Sequence, residues 1–315
     1  MNFLIKLKFK TGLSVNSANV WESSAAKGTI HSDTLFGAIM NQWVKIPAIY
    51  DIETLVSTLN TDSPPFLISS AFPFFDEYYY LPVPVGNDKA YMEMAKNIRY
   101  LEIYDFAELA KGDKKPLQKT PQKDPQEFIH NFTRPRVTID RIASTSNIYD
   151  FSGWSVDKGG GLYFILKLND HKLKETLNLC VNLLGEAGIG ADRNVGFGSF
   201  VPEIIPIDKD SIWSDLLDSK NETSLKYYTL SLTCPHDLDE AKKGVSYKII
   251  SRTGWIYSNT SMMQAKRKKT KMFAEGSIFD EPIKGHVADV TPKQFKDNAH
   301  NVYRYGLGMM IEGDW

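Results

Sequence analysis

EAGIGADRNVGFGSF, residues 186–200, joins a helical pattern to an apolar run and places four glycines and one arginine between Gly188 and Gly198. Glycine admits positive φ and lets another backbone come close. Successive N–H groups in such a loop can form a concavity for phosphate oxygens. Arg193 adds a planar, permanent cation suited to the same anion. The alternative is a long solvated turn in which Asp192 pairs with Arg193. The order of elements narrows the fold. A P-loop would continue into Gly-Lys-Ser/Thr, and a dinucleotide fingerprint would sit between a strand and a following helix. Here the helix comes first and the strand second. GFGSFV, residues 196–201, echoes the aromatic RNA-binding strand of RRM domains, but Ser199 shifts Phe200 to the other strand face. The segment reads as a glycine loop entering a strand, not as a stacking platform.

Working outward, GLYFILKL (161–168) reads as a strand. Leu173, Leu177, Val181 and Leu184 then mark one face of a helix that carries Cys180 on its apolar side. The closing strand runs to about residue 207. Upstream, Phe3, Ile5, Leu7 and Phe9 alternate with Lys6, Lys8 and Lys10, a half-buried first strand. In residues 30–44, Ser32 or Asp33 can cap a helix whose buried stripe is Phe36, Ile39, Met40 and Trp43. A second helix covers residues 51–59, and aromatic, proline-bearing strands cover 71–75 and 78–86. The pattern degrades over residues 87–133, where KGDKKPLQKTPQKDPQ (111–126) reads as a partly mobile insertion. PRVTIDR (135–141) restores regular pattern. The second half starts near Lys226, with strands at 227–235, 285–290 and 302–311, a strand or hairpin arm at 246–258 and a short helix at 237–243. Strands with helices returning between them make this an α+β chain of two tandem ferredoxin-like (RRM-like) domains. The first spans residues 1–207 and the second residues 226–315.

The chain has 315 residues, is 42% apolar and 24% charged, and carries a formal net charge of −1. No global basic field attracts nucleic acid, so any RNA contact rests on local clusters. The densest is Lys266, Arg267, Lys268, Lys269 and Lys271. Cys180 and Cys234 offer neither a disulfide framework nor a metal motif, and the six histidines show no ligand spacing. No cofactor is implied. The alternating N-terminus is not a signal peptide, and no run reaches membrane-spanning length, so a cytoplasmic protein with no membrane partner is expected.

Four segments taken in order carry a resemblance: IHSDTLFGAI (30–39), the aromatic-proline stretch 72–84, the glycine loop, and the set RTGWIYS, KMFAEGSIF, GHVADV and VYRYG in the second half. Together they resemble the fourth Csm subunit of type III-A CRISPR effector complexes, a RAMP-superfamily protein. The resemblance implies a pair of RRM-like domains with a β-hairpin thumb inserted in the first, here within about residues 87–133. It implies a non-catalytic subunit that caps the 5′ handle of the CRISPR RNA. Its partners would be that RNA, the large polymerase-like subunit and the first backbone RAMP subunit. Carried over by position, the glycine loop supplies Gly188, Gly190, Arg193, Gly196 and Gly198. His31 and Ser32 match the start of the first helix near the handle. Arg136 and Arg141 match basic positions flanking the strand after the thumb, and Arg252 and Trp255 match the RTGW-like motif. Lys266 and Arg267 of the basic cluster join them as RNA-contact candidates. Ala191 and Asp192 stand where the family often has a glycine and a lysine.

His31 and Asp33 invite a ribonuclease reading, with histidine as general base. Two positions apart at a helix start, they need not converge, and Asp33 reads first as a cap or structural hydrogen-bonding residue. A repeat-processing endoribonuclease of the same superfamily remains the alternative function. Its glycine loop lies near the C-terminus, whereas about a hundred residues follow this one. Tyr78, Tyr79 and Tyr80 read as a packed edge strand before a base-stacking surface, and Trp255 as either core or contact. Changing Arg193 to Ala, or Gly190 to a bulky residue, is expected to weaken handle binding in a chain that still folds.

Overall fold

A computed structural model describes residues 1–15, 28–86, 88–119, 123–140, 142, 144–218, 226–257, 265–296 and 300–315. β1 (Asn2–Phe9) leads to α1 (Ser32–Trp43), α2 (Ile52–Leu59), β2 (Phe66–Ile68), β3 (Phe72–Phe75) and β4 (Tyr78–Pro82). Next come α3 (Lys89–Ala95), β5 (Tyr100–Glu102), α4 (Ile103–Ala110) and α5 (Pro125–Phe128). β6 (Ile129–Asp140), β7 (Thr145–Val156), β8 (Gly160–Leu168), α6 (Lys174–Ala187) and β9 (Phe200–Pro206) complete the first sheet region, and α7 (Ile212–Asp218) follows. The second half holds β10 (Lys226–Thr229), α8 (Leu238–Lys242), β11 (Gly244–Ser246), β12 (Ile249–Arg252), β13 (Thr270–Phe273) and β14 (Ile278–Phe279). It ends with β15 (Ala288–Asp289), α9 (Lys293–Lys296), β16 (Tyr303–Arg304) and β17 (Met310–Gly313).

In the first sheet β3, β8, β1 and β9 lie side by side, all antiparallel. With α1 between β1 and β3 and α6 between β8 and β9, this is the ferredoxin-like order. The second sheet repeats it as β11-β14-β10-β17, also antiparallel, with the four- and five-residue helices α9 and α8 as its returns. The α+β reading as two ferredoxin-like halves therefore agrees with the sheet topology.

Strand alternation decides how the sheet is covered. Leu162, Phe164 and Leu166 of β8 pack with Ile5 and Leu7 against α1 and α6, through Phe36, Ile39, Leu177 and Val181. The opposite positions, Tyr163 and Ile165, join Leu4, Phe72 and Phe74 in a second core. That core is roofed by Leu101, Phe106 and Leu109 of the insertion and by Tyr228 and Ile311 of the second half. Both faces of the first sheet are thus buried. Lys6 consequently does not face water as alternation suggested. It is 9% exposed, its Nζ 4.7 Å from the Phe74 ring and 4.9 Å from the Tyr79 ring, and it donates to the Asp76 carbonyl at 3.2 Å. Tyr79 and Tyr80 pack inward, Tyr79 edge-on to Tyr163 and Trp213 and Tyr80 fully buried.

Two expectations about the insertion are corrected. Its described residues are not a loosely held loop, because α3, α4 and the turn at Lys115–Gln118 bury Tyr91, Phe106 and Leu117 between the halves. Phe106 lies 5.1 Å from the Tyr228 ring and 5.2 Å from the Trp315 ring. The projecting hairpin does not lie within residues 87–133 but starts at their edge: β6 and β7 pair over twelve residues each, from Ile129↔Val156 to Asp140↔Thr145. The described part of the segment read as a strand resuming the body, residues 135–140, is instead the outer part of this arm, and most of β6 is exposed. In the second half, the strand expected over 302–311 breaks into β16 and β17. A Cβ on Gly306 would stand 2.4 Å from the Cys234 Cβ, and one on Gly308 2.5 Å from the Ile283 carbonyl. The chain passes too close to its neighbours there for ladder geometry.

The halves meet at a polar seam. Arg252 of β12 clamps Asp33 of α1 with two bonds, Nε to Oδ2 at 3.0 Å and Nη2 to Oδ1 at 2.9 Å, and Nη2 also donates to Thr34 Oγ1 at 2.9 Å. Arg304 Nη1 stands 3.5 Å from Asp33 Oδ2. His31 Nδ1 meets Glu275 Oε1 at 2.9 Å, and Ser70 Oγ donates to the same oxygen. Leu232 N donates to Ser32 Oγ at 3.0 Å. Burial alone would raise the Asp33 carboxyl. The field and hydrogen bonds of Arg252, with Arg304 and His31 behind it, reverse this and hold it well below the usual carboxylate range. Burial is likewise outweighed at Glu275, which His31 and Ser70 hold low.

Asp33→Ala strands buried arginines without their carboxylate and is expected to lower stability by about 3–5 kcal/mol in urea unfolding. Both carboxylates have folded pKa values below their unfolded ones, about 3.9 for Asp and 4.3 for Glu. Their contribution is therefore full above that range and is lost as pH falls through the folded values. Stability measured against pH should drop below about pH 4, and less steeply in Asp33→Asn.

Candidate nucleic-acid interface

With the sheet faces buried, polar contact surface comes from loops. The glycine loop is built against the chain just after β1. Gly198 N donates to the Gly12 carbonyl at 2.8 Å, Ala191 N to the Ser14 carbonyl at 2.7 Å, and Ile189 N to the Gly198 carbonyl at 3.0 Å. Gly188, Gly190, Gly196 and Gly198 all have positive φ. Three of them are there for packing. A Cβ would come within 1.9 Å of the Ile189 carbonyl at Gly198, 2.4 Å of the Ser14 carbonyl at Gly190, and 2.7 Å of the Phe197 carbonyl at Gly188. A bulky residue at Gly190 therefore disturbs the loop itself, which corrects the expectation that such a chain folds unchanged. Gly196 differs: it is exposed and a Cβ there meets nothing within 4 Å.

The hairpin root is pinned to the same place. Leu13 and Trp154 exchange two backbone hydrogen bonds of 2.8 Å, and Ser14 Oγ donates to the Ser152 carbonyl at 2.9 Å. Phe132, Phe151 and Phe197 gather between hairpin and loop, with ring centroids 5.0–6.2 Å apart. Arg136 lies on this cluster, 4.1 Å from the Phe151 ring, and pairs with Asp192. Asp192 is thus the partner of Arg136, not of Arg193. Arg134, two residues back on the same strand face, sits 5.1 Å from the Phe132 ring. Arg134, Phe132, Thr11, Gly12, Gly196 and Phe197 line a shallow pocket of about 330 Å³.

Arg193 reaches across to the second half, where its guanidinium lies 4.6 Å from the Tyr257 ring. Tyr257 continues the chain beyond β12, and Trp255 pairs there with Lys266 in an isolated bridge. Lys266 Nζ is 5.0 Å from the Trp255 ring. Trp255 and Tyr257 are 59% and 54% exposed, which resolves Trp255 as surface, not core. Glycine loop, hairpin root and β12–β13 arm therefore form one surface bearing Arg134, Arg136, Arg193 and Lys266 with exposed aromatics.

Other candidates fall elsewhere. Ser32 is fully buried, Arg252 is turned onto Asp33, and His31 faces Glu275, so these three belong to the seam. Arg267 is half-buried beside it. Arg141 lies outside the described residues. Sequence reasoning missed Arg134 and Tyr257. The first had a usable signal, two arginines at i and i+2 in an extended segment. The second had none, because its partner Arg193 is on the other half. Among the described residues no three His, Cys, Asp or Glu side chains gather as a metal site, and no helix is long and apolar enough to cross a membrane.

Residues 222–312 match the family described as the CRISPR Csm4 C-terminal domain. A Streptococcus thermophilus protein named CRISPR system Cms protein Csm4 is 24% identical over 299 residues, covering 91% of this chain and 92% of its own length. A protein of the same name from Thermococcus onnurineus is 28% identical, covering 88% and 89%. Over most of its length the chain is similar to Csm4 proteins, and its residues 222–312 match the Csm4 C-terminal domain. The fold agrees with that similarity: a chain in the crystal structure of a Csm3–Csm4 subcomplex of the type III-A CRISPR-Cas interference complex superposes with a TM-score of 0.70 at 19% identity over the full length of both. A chain of a Csm1–Csm4 cassette solved with cA4 gives 0.61 at 20% identity, covering 99% of this chain and 98% of that one.

Two outcomes check the interface. Gly198→Ala should lose more than about 1 kcal/mol in denaturant unfolding, and clearly more than Gly196→Ala, because only the first meets backbone. Arg193→Ala should fold normally and lose about 1.5–3 kcal/mol of affinity for single-stranded handle RNA. Its log–log salt slope should fall by about 0.7.

Proposed function

We propose that this chain is the Csm4-type subunit of a type III-A CRISPR interference complex, working in the cytoplasm. It holds the 5′ handle of the CRISPR RNA on the surface made by the glycine loop, the hairpin root and the β12–β13 arm. In the same assembly it links the large polymerase-like subunit to the backbone RAMP subunits. Similarity to Csm4 proteins supports the assembly role, since structures of the fold neighbours pair Csm4 with Csm3 in one case and with Csm1 in another.

The observation that carries the RNA assignment is the convergence of Arg136, Arg193 and Lys266 from three separate chain segments onto one face with exposed Trp255 and Tyr257. Cations track a phosphate backbone, and exposed rings stack on unpaired bases. Single-stranded RNA satisfies both. A duplex offers no free base faces to the rings. The sheet face on which an isolated RRM domain stacks bases is buried here, so the loops take over that work.

In this reading the chain does not cut RNA. Asp33 is 5% exposed and bound by Arg252, so it cannot approach a 2′-hydroxyl as a base without leaving its arginine. The hairpin tip, with exposed Val137, Ile139 and Ile148, is the thumb of this reading.

Purified with its native partners, the chain should bring down a large multidomain subunit and short RNAs sharing one constant 5′ end. Alone, it should leave repeat RNA intact with or without divalent metal. A specific cut abolished by His31→Ala would instead establish the repeat-processing alternative.

A further inference from the structure

We propose that Arg267 and Arg304, beside the Asp33–Arg252 pair, form a second anion site that takes a phosphate group at the seam between the halves. The argument starts from charge. Arg252, Arg267 and Arg304 act on one another and on the carboxylate of Asp33. Among the described residues, three guanidinium groups thus share the field of the Asp33 carboxylate. Glu275, another acid of the seam, is held by His31 and Ser70. The first turn of α1, whose N-cap His31 supplies no side-chain cap bond, adds the positive end of a helix dipole.

Hydrogen bonding points the same way. Arg304 is 1% exposed, and its Nη2 donates to the Thr253 carbonyl at 3.0 Å. Its Nε and Nη1 are buried without a hydrogen-bond partner among the described residues, and so is Nε of Arg267. Native proteins rarely leave buried donors unpaired, and least of all charged ones. Burial pulls the Arg304 pKa down to about 10 despite Asp33, and it lowers Arg267 as well. A bound oxyanion would relieve both deficits, supplying negative charge and acceptors to planar donor forks that fit phosphate oxygens.

The way in is from the arm. Arg267 is half-buried, neighbouring Lys266 is exposed, and Gly254, whose carbonyl accepts from Arg267 N at 2.9 Å, has open space where a Cβ would stand. The site is separate from the glycine loop, and Arg304 was no part of the sequence-derived set. A phosphodiester of bound RNA and a free phosphate share the chemistry required. In the first case the site deepens the RNA reading above, by holding the backbone where the two halves meet.

The test uses the full chain. Thermal unfolding is followed in inorganic phosphate and in chloride at matched ionic strength, for wild type, Arg267→Gln and Arg193→Ala. Phosphate should raise the Tm of wild type and Arg193→Ala above the chloride value. In Arg267→Gln the apparent phosphate affinity should fall about ten- to hundredfold. The glutamine variant should fold, since Arg267 makes only its backbone bond among those described. If it does not, Arg267→Lys keeps the charge, loses the fork and should show a reduced response. A second arm titrates single-stranded RNA lacking terminal phosphates against the phosphate effect. Competition identifies a backbone phosphodiester as the ligand, and its absence identifies a free phosphate; both support the site. Equal Tm in phosphate and chloride, or an undiminished phosphate response in the folded Arg267 variants, would overturn it. Failure of RNA to bind at all, with the phosphate response intact, would instead count against the RNA-binding function.

Discussion

The carboxylate of Asp33 organises the junction on which the rest of the molecule depends. It stands in the first turn of α1, buried, and Arg252 reaches it from a strand 219 residues away. A lone buried arginine would be costly, and so would a lone buried aspartate. Each makes the other tolerable, and together they fix the register of one half against the other. Neighbouring bonds follow the same line, from Leu232 N to Ser32 Oγ and from Ile68 N to the Tyr305 hydroxyl at 2.9 Å. Apolar packing holds the halves together, but these directional bonds choose one orientation among those that packing would allow.

That orientation has a functional price in the first sheet. Its second face is covered by the insertion and by the other half, so its aromatic positions are core. Tyr163 and Tyr228 are fully buried and their hydroxyls donate to backbone carbonyls, which removes them from any role at the surface. In the proposed function, recognition is displaced to the ends of strands. The glycine loop enters β9, the hairpin leaves the sheet before β8, and the arm follows β12. Close backbone passage at Gly188, Gly190 and Gly198 packs the loop tightly, and Arg193 projects from it toward Tyr257. In the proposed function, such a preformed base lowers the ordering cost of holding a flexible strand of RNA.

Local order was legible to different degrees. The stripe Phe36, Ile39, Met40 and Trp43 and the face Leu173, Leu177, Val181 and Leu184 are buried as their spacing required. Period-2 alternation located β1 and β8 but misjudged Lys6, because alternation cannot say whether the second face will be covered. The insertion read as mobile because its elements are short and its charges, such as Lys111 and Lys119, point outward. A helix of eight residues shows barely two turns of pattern. The long hairpin was missed for the opposite reason: both its faces are largely exposed, so β6 and β7 carry little hydrophobic periodicity.

By itself the sequence determined the α+β class, the helices α1 and α6, the helix-to-strand sense of the glycine loop, and the motif order that carries the resemblance to Csm4. Each is a property of residues close along the chain, where spacing and backbone preference act directly. Tertiary structure alone decided which cations face outward. Arg136 and Arg193 are alike as side chains, yet one is paired with Asp192 on a phenylalanine cluster and the other lies on Tyr257. It likewise turned Arg252 inward onto Asp33 and left Nε and Nη1 of buried Arg304 without a hydrogen-bond partner among the described residues. Such pairings join residues far apart in the chain. Many partners are locally equivalent, and the choice among them follows from how both cores close at once.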